Sequence, residues 1–408
     1  MVEPPIRVDL KPPPSLSFAT QSSNVHTAWM TMPIDHFDPQ NSDTYQMRFM
    51  FNEQFFGGPG HPIFILVGGE WDIVPGWLQG GNMFLMAQEN KGFQIYTEHR
   101  FYGESLPYGN FTTENLRFLN VDQALADLAY FIKEIKKNAR FSESKVILYG
   151  GSYAANMVLW FKQRYPHLVV GGVASSGPIL GKVDFTGYLE VVHDAFSSEG
   201  GQQCMATIRQ GIDETIAALS SEEGRLSIQQ NYRLCAPLKY DSEFDMGFFS
   251  GLISWSFSTA VQQAQPGTLT AICNNFATEV FGVTPMQKIG GFIAALRGLG
   301  STNCWAINYE SYVQGFDEAF VYSAVDRVNL VFGGLNPDVN NTINIHGDVD
   351  PWHALGVHDR DLKDSSPTVT VPRASHCFDM GNWRTSDTIR MTNAQQLARR
   401  LIAQWLSE

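Results

Sequence analysis

Residues Lys145 to Tyr165, KVILYGGSYAANMVLWFKQRY, constrain this chain more than any other stretch, because they read as a buried strand, a sharp turn and a helix with a serine at the apex. Val146, Ile147 and Leu148 form the short apolar run of a parallel strand, and Met157, Val158, Trp160 and Phe161 begin a pattern that a helix buries. A turn that throws its serine out of the sheet edge brings the strand and helix backbones together, so it needs small residues two before and two after the serine. Gly150 and Ala154 hold those positions around Ser152, with a methyl where the pattern has a second glycine. The plainer reading is a glycine-rich loop whose serine caps a helix. The turn alone does not choose between the two, so the rest of the chain must.

At 408 residues and 44% hydrophobic, the chain can bury the core of a large domain with an insertion. Its net charge of -13 repels phosphate backbones and anionic lipid surfaces, which argues against nucleic acid as a partner. The longest apolar runs, such as Ile63 to Val67, fall far short of a membrane span. The first residues, MVEPPIRVDLKPPPSLSF, are acidic at position 3, proline-rich and without an apolar core, so as given they are not a secretory signal. Two glycosylation sequons, at Asn110 and Asn340, point the other way. So do the cysteines: Cys204, Cys235, Cys273 and Cys304 fall in one segment while Cys377 stands alone. That clustering suits two disulfides made in an oxidising compartment, against the alternative of four unpaired core thiols.

Read in order, residues 1–27 are a proline-rich lead, and strands follow at Tyr45 to Phe51, Ile63 to Val67 and Phe93 to Thr97. A helix starts near Asp122, with Leu125, Leu128, Ala129, Ile132 and Ile135 on one face. After the Ser152 turn, Val169 to Ala174 gives a further strand. This alternation predicts an α/β fold with a mostly parallel sheet over residues 28–184. From 185 to 326 the texture changes to helices with the cysteine cluster inside, which reads as an inserted helical cap. Strands return at Thr342 to Ile345 and Thr368 to Val371, and 327–408 completes the core with a closing helix that carries Ala394, Leu397, Ala398, Leu401, Ile402 and Trp405 on one face.

A serine hydroxyl is a poor nucleophile until a base takes its proton, and the base needs a buried carboxylate to fix its tautomer. The chain supplies both groups after the cap, in His346-Gly347-Asp348-Val349-Asp350-Pro351-Trp352-His353 and in Ala374-Ser375-His376-Cys377-Phe378. Ser152, Asp350 and His376 then stand in the chain order Ser, Asp, His of an α/β-hydrolase fold. His99 competes as the base and Asp348 as the acid, but His99 lies at an early strand end and Asp348 reads as a solvated turn residue. A metal site of His346, Asp348, Asp350 and His353 fits by ligand type and lacks supporting spacing. No metal or cofactor is expected.

Gly-Gly-Ser-Tyr at 150–153, Glu98-His99-Arg100-Phe101-Tyr102-Gly103-Glu104-Ser105, and Gly347 through Gly356 together resemble the S28 serine peptidases, over roughly residues 28 to 405. The resemblance implies Ser152 as nucleophile, His376 as base and Asp350 as orienting acid. An oxyanion hole is expected from the N–H groups of Tyr153 and Gly69, with Glu70 and Trp352 lining the substrate pocket. It also implies disulfides Cys204 to Cys273 and Cys235 to Cys304. The Glu98 to Ser105 segment reads as structural support, with Arg100 and Glu98 as a buried ion pair. One family stretch is missing between Tyr309 and Val328, which shortens the cap. The expected activity is that of an exopeptidase cutting short peptides, at prolyl bonds, in a secreted or lysosomal setting; a homodimer stays open. The alternative is a hydrolase-fold binding protein whose shortened cap has cost it catalysis. For an acidic compartment, the histidine is expected to titrate below its ordinary value of about 6.5.

Overall fold

The computed structural model describes residues 24–239, 242–300, 303–309, 325–358, 365–385 and 387–408. Its strands are β1 (Val25–Pro33), β2 (Thr44–Asn52), β3 (Ile63–Leu66), β4 (Phe93–Thr97), β5 (Val146–Gly151), β6 (Gly171–Ser175), β7 (Thr342–Gly347) and β8 (Thr368–Val371). They join in one sheet in the order β1-β2-β4-β3-β5-β6-β7-β8. The β1–β2 and β2–β4 pairs are antiparallel and every later pair is parallel. This is the α/β-hydrolase fold.

Strands β3 to β7 are buried along their whole length because both of their faces are covered. Ile63, Ile65, Ile95, Val146 and Leu148 pack on one face with the helices Val121–Ile135 and Tyr153–Arg164. Phe64, Leu66, Tyr96, Ile147, Ile343 and Ile345 pack on the other with Asn82–Glu89 and the closing helix Ile389–Ser407. The closing helix buries Ala394, Ala398, Ile402 and Trp405 as its spacing predicts, while Leu397 and Leu401 are only partly covered. Asn120 caps the Val121–Ile135 helix by accepting the Gln123 N–H at 3.0 Å.

Two readings change. Strand β1 begins at Val25, inside the stretch read as a lead, and carries a half-exposed Trp29. It is an edge strand bonded on one side only, so its apolar alternation is too weak to announce it. Arg100 and Glu98 do not pair with each other. Arg100 is held by Asp127, Nε to Oδ2 at 2.6 Å and Nη2 to Oδ1 at 2.8 Å, and Glu98 by Arg48, Nη2 to Oε1 at 2.5 Å.

The described residues from Thr186 to Tyr309 cluster into one compact unit, and those from Asn24 to Phe185 with those from Val325 onward into another. The first unit is inserted between β6 and β7 and contains the helices Gly187–Ala218, Glu222–Asn231, Glu243–Gln262, Thr268–Ala277 and Pro285–Leu296. Phe196, Phe257, Phe276 and Phe292 form an aromatic chain through its centre. The shortened family stretch falls mostly outside the described residues. Cys204 bonds Cys273 and Cys235 bonds Cys304, both within this unit, and Cys377 is free and buried. Each bridge spans 69 residues of sequence, which on the chain-entropy account is worth about 4 kcal/mol. A thiol count on denatured, unreduced protein should therefore return one group per chain. A count of five would overturn both bridges.

Candidate active site

The carboxyl ends of the parallel strands gather the residues singled out from the sequence. Ser152 follows β5 and stands before the Tyr153–Arg164 helix with φ 58° and ψ -131°. A non-glycine residue in that region is strained and survives only where its surroundings over-determine it. Gly150 explains how the turn closes, since a Cβ there would collide with the Ala154 carbonyl. The Ser152 N–H donates to the Ser175 carbonyl at 2.9 Å, and the Ser152 carbonyl accepts from Ala155 N–H at 2.9 Å. The cap-only reading fails, because the Ser152 side chain makes no capping hydrogen bond to the helix.

Asp350 leaves β7 through the loop before Pro351 and is fully buried. Its Oδ1 accepts the Trp352 N–H at 3.0 Å, which fixes the carboxylate at the head of a short helix. Both Asp350 oxygens reach His376 Nδ1, at 3.0 and 2.9 Å. His376 Nε2 is buried and makes no hydrogen bond. The loop after His376 lies against the serine turn, because a Cβ on Gly151 would stand 3.0 Å from Cys377 Sγ and would collide with Met380.

The competitors go elsewhere. Asp348 is exposed and accepts the Arg373 N–H at 2.5 Å, as a turn residue does. His99 is buried between the Arg100 carbonyl, 2.8 Å from Nδ1, and the Tyr153 hydroxyl, 3.2 Å from Nε2. Burial pushes the His99 imidazole down to about 4, so it is neutral and braces Tyr153. His346 is also buried, and burial drives it down to about 3. Among the described residues no group of three or more His, Cys, Asp or Glu could hold a metal ion.

Gly69 sits in the turn after β3 with the Trp71 ring against it, so that a Cβ would collide with the indole. Tyr153 is the first residue of its helix, where the N–H has no intrahelical acceptor. Beside Gly69, one Glu70 oxygen, Oε2, is buried without a hydrogen-bond partner. Trp352 is half-buried with its ring 6.0 Å from that of Phe185. Asn110 and Asn340 are both exposed.

Three groups here escape a reading of the sequence. Ser175 ends β6 and Ser176 follows it; Ser175 Oγ donates to Asp379 Oδ1 at 2.5 Å and Ser176 Oγ accepts the Cys377 N–H at 2.9 Å. Asp379 is the third. Neither serine belongs to a motif with informative spacing, and the pairing spans about two hundred residues of chain, so only the strand-end position hints at it.

A family model described as Serine carboxypeptidase S28 matches residues 32–282 and 303–398. Thymus-specific serine protease from Mus musculus is 27% identical over 445 residues, covering 93% of this chain and 87% of its own. Lysosomal Pro-X carboxypeptidase from Bos taurus is 24% identical over 471 residues, covering 99% and 94%. A serine protease of Caenorhabditis elegans reaches 33% identity over 433 residues, covering 88% of this chain and 80% of its own.

Charge in the site is set by competition between burial and partners. Burial pushes the Asp350 carboxyl up, but the His376 charge and hydrogen bonds from His376, Ser176 and the Trp352 N–H hold it below the usual carboxylate range. Burial pushes His376 down, and the Asp350 carboxylate outweighs it, raising the imidazole well above its ordinary value, with a smaller push from Cys377. The expected offset by desolvation is therefore not met, because the carboxylate lies against Nδ1 with both oxygens. A histidine-selective NMR titration should place the His376 ionisation above about 6.5. A value below that would mean that burial wins.

Proposed function

As a member of the serine carboxypeptidase S28 family, this chain is a serine peptidase, and we propose that it removes residues from the ends of short peptides, at prolyl bonds, through an acyl-enzyme on Ser152. The observation that carries the proposal is the Asp350 carboxylate on His376 Nδ1, with Nε2 left unbonded in a loop packed against the strained serine turn. In the neutral ring, with Nδ1 donating to Asp350, Nε2 is the acceptor, so turnover requires the pH to exceed the raised His376 ionisation. Nε2 takes the Ser152 proton as Oγ attacks the scissile carbonyl, and Asp350 stabilises the imidazolium that forms. The Tyr153 and Gly69 N–H groups then receive the developing oxyanion, a contribution worth about 3 kcal/mol for each donor. The imidazolium returns the proton to the leaving amine. Water, deprotonated in turn by Nε2, opens the acyl-enzyme.

The prolyl preference is supported by the name of a relative, Lysosomal Pro-X carboxypeptidase. That relative also supports a lysosomal or secreted setting, with which the two disulfides and the exposed Asn110 and Asn340 as glycan sites agree. Glu70 and Trp352 are proposed to line the pocket. Mass spectrometry of proline-containing peptides, blocked at one end or the other, tests the specificity. Absence of cleavage of every such peptide by folded, fluorophosphonate-reactive protein would remove the prolyl exopeptidase reading.

Ser152→Ala and His376→Ala should each lower kcat by roughly a million-fold, and the double variant should be little worse, because the residues act as one unit. Asp350→Asn should cost about ten thousand-fold. Asp348→Asn should change kcat less than about threefold, since that side chain faces solvent. The reverse ranking of the two aspartates would transfer the acid role. A fluorophosphonate should label Ser152 stoichiometrically, and an unlabelled protein would favour a hydrolase-fold binding protein.

A further inference from the structure

The end of β6 joins the serine turn to the histidine loop through one residue. In the sheet Ser175 lies between Gly151 of β5, the residue before Ser152, and Ile345 of β7. Its carbonyl accepts the Ser152 N–H at 2.9 Å. Its hydroxyl donates to Asp379 Oδ1 at 2.5 Å, 204 residues further along the chain and just beyond His376. Ser175 is 0% exposed and Asp379 3%, so water does not compete for this bond. A hydroxyl deprived of its acceptor there would be stranded.

Asp379 is itself held from behind. It sits in the short helix Phe378–Met380, which the chain enters through Cys377 in a left-handed conformation at φ 55°. Gln395 of the closing helix donates to the Asp379 carbonyl at 2.9 Å and to the Gly381 carbonyl at 3.2 Å. In front, the Cys377 N–H donates to Ser176 Oγ at 2.9 Å, and Met380 fills the space beside Gly151. The closing helix thus fixes the backbone of the short helix, and the Ser175 bond sets how far its carboxyl stands from the end of β6.

We infer that Ser175 and Asp379 are a pair of positioning residues for peptide hydrolysis: the bond between them holds the loop that carries His376 at a fixed distance from the strand end that holds the Ser152 N–H. This rests on the triad of the preceding subsection. The role asked of Asp379 is that of an acceptor, which an amide oxygen also fills. Loss of either partner frees the histidine loop to shift against the serine turn, and a misplacement of about 1 Å can lower turnover about a hundredfold. Neither side chain is open to solvent, so substrate does not reach the pair and the loss should fall on kcat.

The test is a double-mutant cycle on the full chain. Ser175→Ala and Asp379→Ala should each lower kcat by about 10- to 100-fold and leave KM within about twofold. The double variant should be no slower than the slower single, because both changes remove the same bond. Asp379→Asn keeps the accepting oxygen and should hold kcat within about threefold of wild type. Fluorophosphonate labelling should still reach one group per chain in each alanine variant, with a rate constant that falls in step with kcat. Wild-type kcat in either alanine variant would overturn the inference, and so would losses that multiply in the double variant. An Asp379→Asn variant as slow as Asp379→Ala would overturn the acceptor role. Substoichiometric labelling at an unchanged rate constant would also overturn the inference, by showing lost folding in place of misalignment. Ser152→Ala tests the triad apart. Labelling that survives in that variant overturns the triad and this inference with it, whereas labelling lost there beside wild-type kcat in the two alanine variants overturns the inference alone.

Discussion

The strained backbone at Ser152 is the constraint on which the rest of the site depends. A non-glycine residue at φ 58° and ψ -131° costs on the order of 1–3 kcal/mol, and it holds only because its neighbours allow no relaxed alternative. On one side β5 is locked between β3 and β6. On the other, the helix beginning at Tyr153 packs Ala154, Ala155 and Val158 into the core. Gly150 lets the two backbones close, and the Ser175 carbonyl takes the N–H that would otherwise be stranded. Loosening any of these would let the turn relax and withdraw the serine from the sheet edge. The glycines of this region are thus what allows the turn to close.

Further along the same sheet edge, a buried ion pair does the corresponding work. Arg100 is buried with its guanidinium on both Asp127 oxygens, on the Ile34 carbonyl at 2.9 Å and on the Phe118 carbonyl at 3.1 Å. Asp127 accepts further from the Tyr45 hydroxyl at 2.8 Å and from His36 Nε2 at 2.7 Å. Such a pair is weak evidence of stability, because removing two charges from water costs about as much as their attraction returns. Its value is geometric. It ties the exit of β4 to β2, to the chain after β1 and to the Val121–Ile135 helix, and it carries His99 into contact with the Tyr153 hydroxyl. Support for Tyr153, the residue after the Ser152 turn, thus reaches back to the other end of the sheet.

What the sequence revealed follows the range of the interactions involved. The Ser152 turn is written in consecutive residues, as small side chains at fixed offsets, and its strand and helix were legible within a residue or two. The proximity of Asp350 and His376 was legible because each follows a strand in a known order, and Asp348, the other candidate acid, is exposed while Asp350 is buried. The edge strand β1 was not, because one-sided pairing leaves no strong alternation. The partner of Arg100 was misread, because a buried charge pairs with whatever the packed helix presents, and Asp127 lies on the polar-looking side of a helix whose apolar face had been counted. Ser175 and Ser176 act only across chain distances that no local pattern records.

Three buried carboxyl groups share an electrostatic interaction with His376, and only Asp350 is held in its charged form. Asp350 accepts from His376 Nδ1 and from the Trp352 N–H, and the His376 charge lies beside it, so burial fails to neutralise it. Glu70 and Asp379 lack comparable partners. Burial pushes each up to about 7, against the opposing pull of the His376 charge, and each keeps one oxygen without a hydrogen bond. At mildly acidic pH these two are protonated, and the imidazolium answers to Asp350 alone. As the pH rises through 7 they begin to ionise beside a histidine whose own ionisation is raised, and each new negative charge favours the imidazolium further. The charge on His376 is thus set by the packing of all three carboxyl groups as much as by the residue itself.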